Sequence, residues 1–312
     1  MRVLRVSGRG AVALSCALLV AVCVVESPSA SARTKPTSDL IVAVGAESQY
    51  ANVLAQIGGK YVSVSSILDN PNTDPHAFEA SPSVAEEIAH ARLVVQNGAG
   101  YDGFMNKIEA ASPSSARTVI VAQTVLDLPS DTPNPHLWYS PRTMPAVARV
   151  IAKDLATLDP GHASYFSKNL AAFDTSMQPF LRAVAAFKAS HGGTPVAVTE
   201  PVADDLLKSM GARILTPFVF QADIMNGVDP APEDISLEEG FFTKHEVKVF
   251  CYNQQVVDSL TSTIEQSALS AKVPVVGVYE TMPAGYDYQT WMLAEVKAIT
   301  KAITKHRSTE KL

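Results

Sequence analysis

Two five-residue segments share one design. Asp74-Pro75-His76-Ala77-Phe78 and Asn134-Pro135-His136-Leu137-Trp138 each set a short polar residue, a proline, a histidine and, two positions on, an aromatic ring. Proline fixes its own φ and drives the residue before it to an extended form, so each histidine is presented from a stiff loop. The aromatic ring can pack beneath that loop and hold it. One Pro-His pair is common by chance, but the repeat with its aromatic partner is a stronger signal. Two rigid loops, each offering one imidazole, suit a preorganised metal site.

Imidazole pairs need further donors. A strand expected over residues 195–199 runs into Glu200, and another over 273–278 runs into Tyr279 and Glu280. Ligands of parallel sheets gather beyond the carboxyl ends of the strands. Both glutamates are therefore candidate oxygen donors, against the alternative that they are merely solvated. His90, His162, His191, His245 and His306 lie in helical or polar surroundings. Gly58-Gly59-Lys60-Tyr61 lacks the flanking residues of a phosphate-binding loop. No His-Glu-x-x-His and no Gly-x-Ser-x-Gly segment occurs.

The elements that must position these residues follow from periodicity. Strands are expected at 40–45, 61–67, 93–96, 118–122, 195–199, 248–252 and 273–278. Helices are expected at 50–57, 83–90, 202–210, 256–268 and 288–305, and from Ser140-Pro141 to about Leu158. Ser83 with Glu86 reads as a capping box, and Ser140 as a cap with Pro141 in the first turn. Strands alternating with helices imply an α/β fold, with parallel sheets flanked by helices in two lobes. Between the halves, Phe166, Leu170, Phe173, Met177, Leu181, Val184 and Phe187 mark one helical face over 163–189. One helix through that stretch would run ~40 Å, and Pro179 should kink it. The expected organisation is an N-terminal lobe over 40–160, a long linking helix over 161–191 and a C-terminal lobe over 192–312.

The first 32 residues are a different material. Arg2, Arg5 and Arg9 precede an uncharged apolar run over 11–25, and Ala30 and Ala32 close the segment. This reads as a cleaved secretory signal, followed by a flexible leader over 33–39. The run, ~15 residues, is short of the ~20 that a membrane span needs. Cys16 and Cys23 raise a lipid anchor, yet neither has a leucine three residues earlier. Cleavage would remove three arginines and Glu26 and take the formal charge from −6 to −8. An acidic chain gains nothing from a phosphate backbone, so nucleic acid is excluded as a partner class. Cys251 would remain as the one cysteine, unable to form an internal disulfide or a thiolate cluster. It sits in an apolar run and reads as an inert core residue. With 47% hydrophobic and 18% charged residues over 312 positions, the chain can bury sizeable cores without staples. It is expected outside the cytoplasmic membrane, in the periplasm or at the cell surface, as a monomer with no integral span.

At these residues the chain resembles the metal-specific substrate-binding proteins of ABC transporters, the zinc and manganese cluster. Asp74 to Glu79 with Pro82-Ser83 is similar to the family's first ligand motif, and Asn134 to Trp138 to its second. Asp159-Pro160, Tyr165 and Asn169 resemble the entry to its long helix. Glu200 with Leu206, Lys208 and Gly211 resembles its third-ligand segment, and Glu280 falls where a fourth acidic ligand is expected. The resemblance covers about residues 40–302. It implies two lobes bridged by one helix, with His76 and His136 as nitrogen ligands and Glu200 and Glu280 as oxygen ligands. It also implies a membrane permease as partner. The cargo would be one divalent ion, zinc or manganese, with iron(II) a minority option. Zinc-type members often carry a third histidine and a histidine-rich loop, and this chain has neither. The chain departs from the family at Tyr139-Ser140-Pro141, where Leu-Asp-Pro is usual, at Glu280 in place of aspartate, and at Pro179. Two rival readings are a secreted zinc hydrolase, with Glu280 as its base, and a surface adhesin on the same scaffold. Four protein ligands would close the site and leave no place for an activated water, which argues against the first.

Overall fold

The structure, a computed structural model, describes residues 40–72 and 78–312. The expected signal segment 1–32, the leader 33–39 and residues 74–77 of the first Pro-His motif, His76 included, lie outside the described residues. Those that are described fall in one compact unit.

Two four-stranded sheets carry the fold. β1 (Ile41–Glu47), β2 (Val62–Leu68), β3 (Leu93–Gln96) and β4 (Thr118–Val121) lie in the order β2-β1-β3-β4. β5 (Pro195–Val198), β6 (Arg213–Ile214), β7 (Phe250–Asn253) and β8 (Val275–Val278) repeat that order as β6-β5-β7-β8. Every neighbouring pair is parallel. β3, β7 and β8 are buried along their whole length, as apolar strands covered on both faces must be. Helices α1 (Ser48–Gly58), α2 (Pro82–His90), α3 (Gly103–Ala111), α4 (Ala122–Val125) and α5 (Thr143–Leu158) accompany the first sheet. α6 (Ala163–Ser176) and α7 (Gln178–His191) follow, then α8 (Asp204–Ser209), α9 (Phe218–Met225), α10 (Pro232–Thr243), α11 (Ser259–Ser270) and α12 (Tyr288–Lys305). The α/β class and the parallel sheets are those the strand–helix alternation implies.

Differences from expectation lie at element ends. Ser83 does not cap α2. That helix begins at Pro82, where proline suits the first turn, and the Ser81 and Ser83 hydroxyls bond each other at 2.7 Å. Ser140 and Pro141 sit in the turn before α5, which starts at Thr143, whose N–H donates to the Ser140 carbonyl. The helix expected at 256–268 starts instead at Ser259, where Asp258 and Thr261 form a reciprocal capping box. α3, α4, α9, α10 and the two-residue β6 were not expected. α9 is apolar around most of its circumference and α10 buries Glu238 beside Phe241 and Phe242, so neither shows a one-sided stripe. The expected long linking helix is present, with α6 and α7 running end to end over 163–191. Met177 keeps helical dihedrals (φ −72°, ψ −20°) between them, while Pro179 has no N–H for the carbonyl four residues back.

α12 ties the molecule together. Tyr288, Trp291, Met292, Val296, Ile299 and Ala302 form its buried face, and it packs on α7. Trp291 lies edge-on to Tyr139 at 5.7 Å. The Tyr288 hydroxyl donates to the Trp138 carbonyl at 2.6 Å. At the start of α12, Asn52 of α1 donates to Asp287 and accepts from the Tyr288 N–H, and Gln56 exchanges reciprocal amide bonds with Gln289. One continuous apolar core thus runs from the first sheet through Phe166, Phe173 and Phe180 to β8 and α12. Cys251 lies within it, 1% exposed, its thiol pushed far up by burial and so held protonated.

Candidate metal centre

The carboxyl ends of both sheets deliver polar residues to one place. His136 follows β4 and precedes a single 3-10 turn over Leu137–Tyr139. Its loop is locked by the residues that sequence singled out. Asn134 Oδ1 accepts from the His136 N–H at 3.1 Å and bonds His136 Nδ1 at 2.9 Å. Trp138, wholly buried, sets its ring edge-on to the imidazole at 5.4 Å. Asn97, just past β3, donates from its amide to the Pro135 carbonyl at 2.8 Å. The aromatic at the fifth motif position therefore does hold the loop. In the first motif Phe78 packs on Phe104 at 4.8 Å.

Glu200 lies two residues beyond β5 and Glu280 two beyond β8, both buried. Between them stands Asn253, the last residue of β7, the strand that separates β5 from β8 in the sheet. Its amide nitrogen donates to Glu200 Oε1 at 3.1 Å and to Glu280 Oε1 at 2.7 Å. The second oxygen of Glu280 faces His136 Nε2 at 3.2 Å. The structure thus brings His136, Glu200 and Glu280 together. Among the described residues, no group of three or more His, Cys, Asp and Glu side chains is by itself arranged to hold a metal ion.

The contact between His136 and Glu280 has chemical content. Nδ1 meets an amide oxygen and so is the donor, which turns the lone pair of a neutral ring to Nε2. That lone pair then faces a carboxylate oxygen 3.2 Å away. Two acceptors at that separation repel unless a cation, a proton or a metal ion, stands on the line between them. Fixing the tautomer through the other ring nitrogen is how proteins orient a metal-binding imidazole.

Tyr101 was not singled out in the sequence. Its hydroxyl donates to Glu280 Oε2 at 2.9 Å, and its ring lies edge-on to His136 and Trp138. The loop that carries it is strained, with positive φ at Gly98, Ala99 and Gly100 in succession. Asp102 pins the loop by accepting from the Asn97 and Gly98 N–H groups at 2.6 and 3.0 Å. Burial, and then the charge of Asp102, push the carboxyl of Glu47 at the end of β1 well up, so Glu47 holds the proton of that pair. The signal for this loop was Gly98-x-Gly100 directly after a strand. Asn253 had no signal beyond its place at a strand end. Asp204, 2% exposed at the start of α8, has its pKa raised by burial, with Lys208 Nζ at 3.1 Å opposing.

With this geometry in place, comparison with known proteins is informative. The profile of the family described as zinc-uptake complex component A, periplasmic (ZnuA), matches residues 44–302. The manganese-binding lipoprotein MntA of Bacillus subtilis is 29% identical over 138 residues, 42% of this chain and 44% of that protein. The match thus spans less than half the length of that curated relative. Solved structures superpose over nearly their whole length. The substrate-binding protein FpvC of Pseudomonas aeruginosa, in complex with Mn2+, has a TM-score of 0.68 at 22% identity, covering 85% of this chain and 98% of its own. A mutant of the laminin-binding adhesin Lmb of Streptococcus agalactiae has a TM-score of 0.70 at 19% identity, covering 84% and 99%. At these identities the superpositions show the fold. No helix among the described residues is long and apolar enough to cross a membrane.

Proposed function

The chain belongs to the ZnuA family of periplasmic zinc-uptake components, and on that premise we propose that it captures one divalent transition-metal ion outside the cytoplasmic membrane and delivers it to an ABC-transporter permease. The observation that carries the reading is the His136 Nε2 to Glu280 Oε2 contact at 3.2 Å, with Nδ1 already engaged by Asn134. Our ligand set is His136, Glu200 and Glu280, completed by His76, which follows β2 in the sequence. Imidazole and carboxylate donors suit zinc and manganese alike, since zinc takes both in tetrahedral sites and manganese favours oxygen. The ion is cargo, not a catalytic centre, and the protein works as a monomer. Its expected place, after cleavage of residues 1–32, is the periplasm or cell surface. Donors on the ends of both sheets let the ion bias how the two halves sit, which a permease can sense. No observation favours the hydrolase or the adhesin reading.

The test is metal analysis of the purified protein with zinc and manganese titrations, repeated on His76→Ala, His136→Ala and Glu280→Gln. One ion per chain is expected. Each histidine variant should lose more than the ~10–100-fold typical of a group that only orients a ligand. Wild-type affinity in both histidine variants would remove this site from consideration, and wild-type affinity in Glu280→Gln would remove Glu280 from the set.

A further inference from the structure

Resting on the metal site just described, we propose that Asn253 is a positioning residue that sets the choice between zinc and manganese, by holding Glu200 and Glu280 to one metal-facing oxygen each. Three strand ends lie side by side here, with Asn253 in the middle and a glutamate beyond each neighbour. A carboxamide nitrogen has two hydrogens. Both are committed, one to Glu200 Oε1 and one to Glu280 Oε1.

The orientation of that amide is fixed from behind. Asn253 Oδ1 accepts from the Gln255 N–H at 3.0 Å. Flipping the group would set its oxygen against two carboxylates and its NH2 against a backbone donor. The Asn253 N–H donates to Thr199 Oγ1 at 3.0 Å, which ties β7 to the residue just before Glu200. Gln255 Oε1 in turn accepts from the Glu280 and Thr281 N–H groups at 2.7 and 2.8 Å. Asn253 is 1% exposed, so water does not compete for its amide.

An Oε1 atom held by a fixed donor is the wrong partner for a cation, which would have to approach past the amide hydrogen. Each carboxylate then offers the ion its other oxygen. For Glu280 that is Oε2, the atom facing His136; its other neighbour, the Tyr101 hydroxyl at 2.9 Å, can turn its single hydrogen aside, as the fixed amide cannot. Carboxylates restricted to one oxygen keep the donor number low, which suits zinc in a tetrahedral nitrogen and oxygen set. Manganese favours a fuller oxygen shell, which two chelating carboxylates would help to supply. The amide therefore acts on the ion through the glutamates, without touching it.

The test uses the full mature chain with Asn253→Leu and Asn253→Val, two side chains that have no hydrogen to donate. Zinc and manganese dissociation constants are measured by chelator competition. Cobalt(II) is used as a spectroscopic stand-in, because its visible absorption is intense in four-coordinate sites and weak in six-coordinate ones. Metal-free melting reports folding. Expected is a shift of the zinc-to-manganese affinity ratio toward manganese by ~10-fold or more in both variants, with weaker cobalt absorption than in the unsubstituted chain. A ratio and a cobalt spectrum unchanged in either folded variant would overturn the proposal. Failure of the unsubstituted chain to bind either ion would instead overturn the site assignment beneath it.

Discussion

Tyr139→Phe removes one oxygen and leaves the shape of the core intact, so its cost can be worked from the bonds that oxygen makes. The hydroxyl donates to the Tyr279 carbonyl at 2.8 Å and accepts from the Tyr279 N–H at 3.1 Å, with Glu295 Oε1 at 3.4 Å. Tyr139 is wholly buried, so water does not replace it. Phenylalanine keeps the ring and its edge contact with Trp291. It strands a backbone donor and a backbone acceptor of one residue, each worth ~1–3 kcal/mol when left unpaired. The expected loss is therefore ~2–6 kcal/mol of unfolding free energy. Urea unfolding of the metal-free protein measures it as a lower midpoint at unchanged slope. Tyr279 precedes Glu280, and Tyr139 lies three residues from His136 on the same locked loop. Metal affinity should therefore weaken as well, by ~10-fold. A stability change under ~0.5 kcal/mol would mean that the hydroxyl does not fasten the two halves, and the unpaired-group reasoning would fail with it.

Asn134→Ala should weaken metal binding by ~10–100-fold, by releasing the His136 tautomer, while leaving melting without metal nearly unchanged; titration calorimetry and a melt decide it, and full affinity would refute the role. Adding zinc or manganese to the stripped protein should raise its unfolding free energy by ~2.7 kcal/mol at 100 times the dissociation constant, read by calorimetric melting, and no shift with either ion would count against capture. Burial raises Glu238 and Glu295 from an ordinary 4.5 to about 8, so the folded state holds a proton on each that the unfolded chain releases. Their stabilisation is complete below about pH 4.5 and declines as pH rises to about 8. Glu295→Gln, which imitates the protonated acid beside Trp291 Nε1 at 3.0 Å, should lessen the fall in urea midpoint between pH 5 and pH 8, and an equal fall in the variant would contradict the assignment.

The sequence was most informative where a local rule coincides with a buried strand or a rigid loop. The parallel strands at 93–96 and 118–121 stand within a residue of expectation because apolar runs bounded by polar turns leave little choice. The Pro-His-x-aromatic unit was legible because proline, asparagine and tryptophan act within five residues of one another. What escaped is non-local. Asn253 lies 53 residues from one of its carboxylates and 27 from the other. Tyr101 lies 179 residues from Glu280, and nothing near either residue hints at the partner. Cap residues were misread at α2 and α5 because a serine beside a proline satisfies two rules at once, and only packing decides between them.

α12 also orders events in time. Its first turn holds α1 through Asn52 and Gln56, and its buried face holds Tyr139 and α7. Beyond it, the Thr309 N–H donates to the Val275 carbonyl and the Gly277 N–H to the Thr309 carbonyl, closing the edge of β8. These residues leave a ribosome or a translocation channel after both sheets and the loop of His136. Until they emerge, both sheets can form but the seam between them cannot, and the strands that carry Glu200 and Glu280 have no fixed distance to His136. His136 and the strand ends of Glu200 and Glu280 therefore reach their observed spacing only once this segment has emerged and docked.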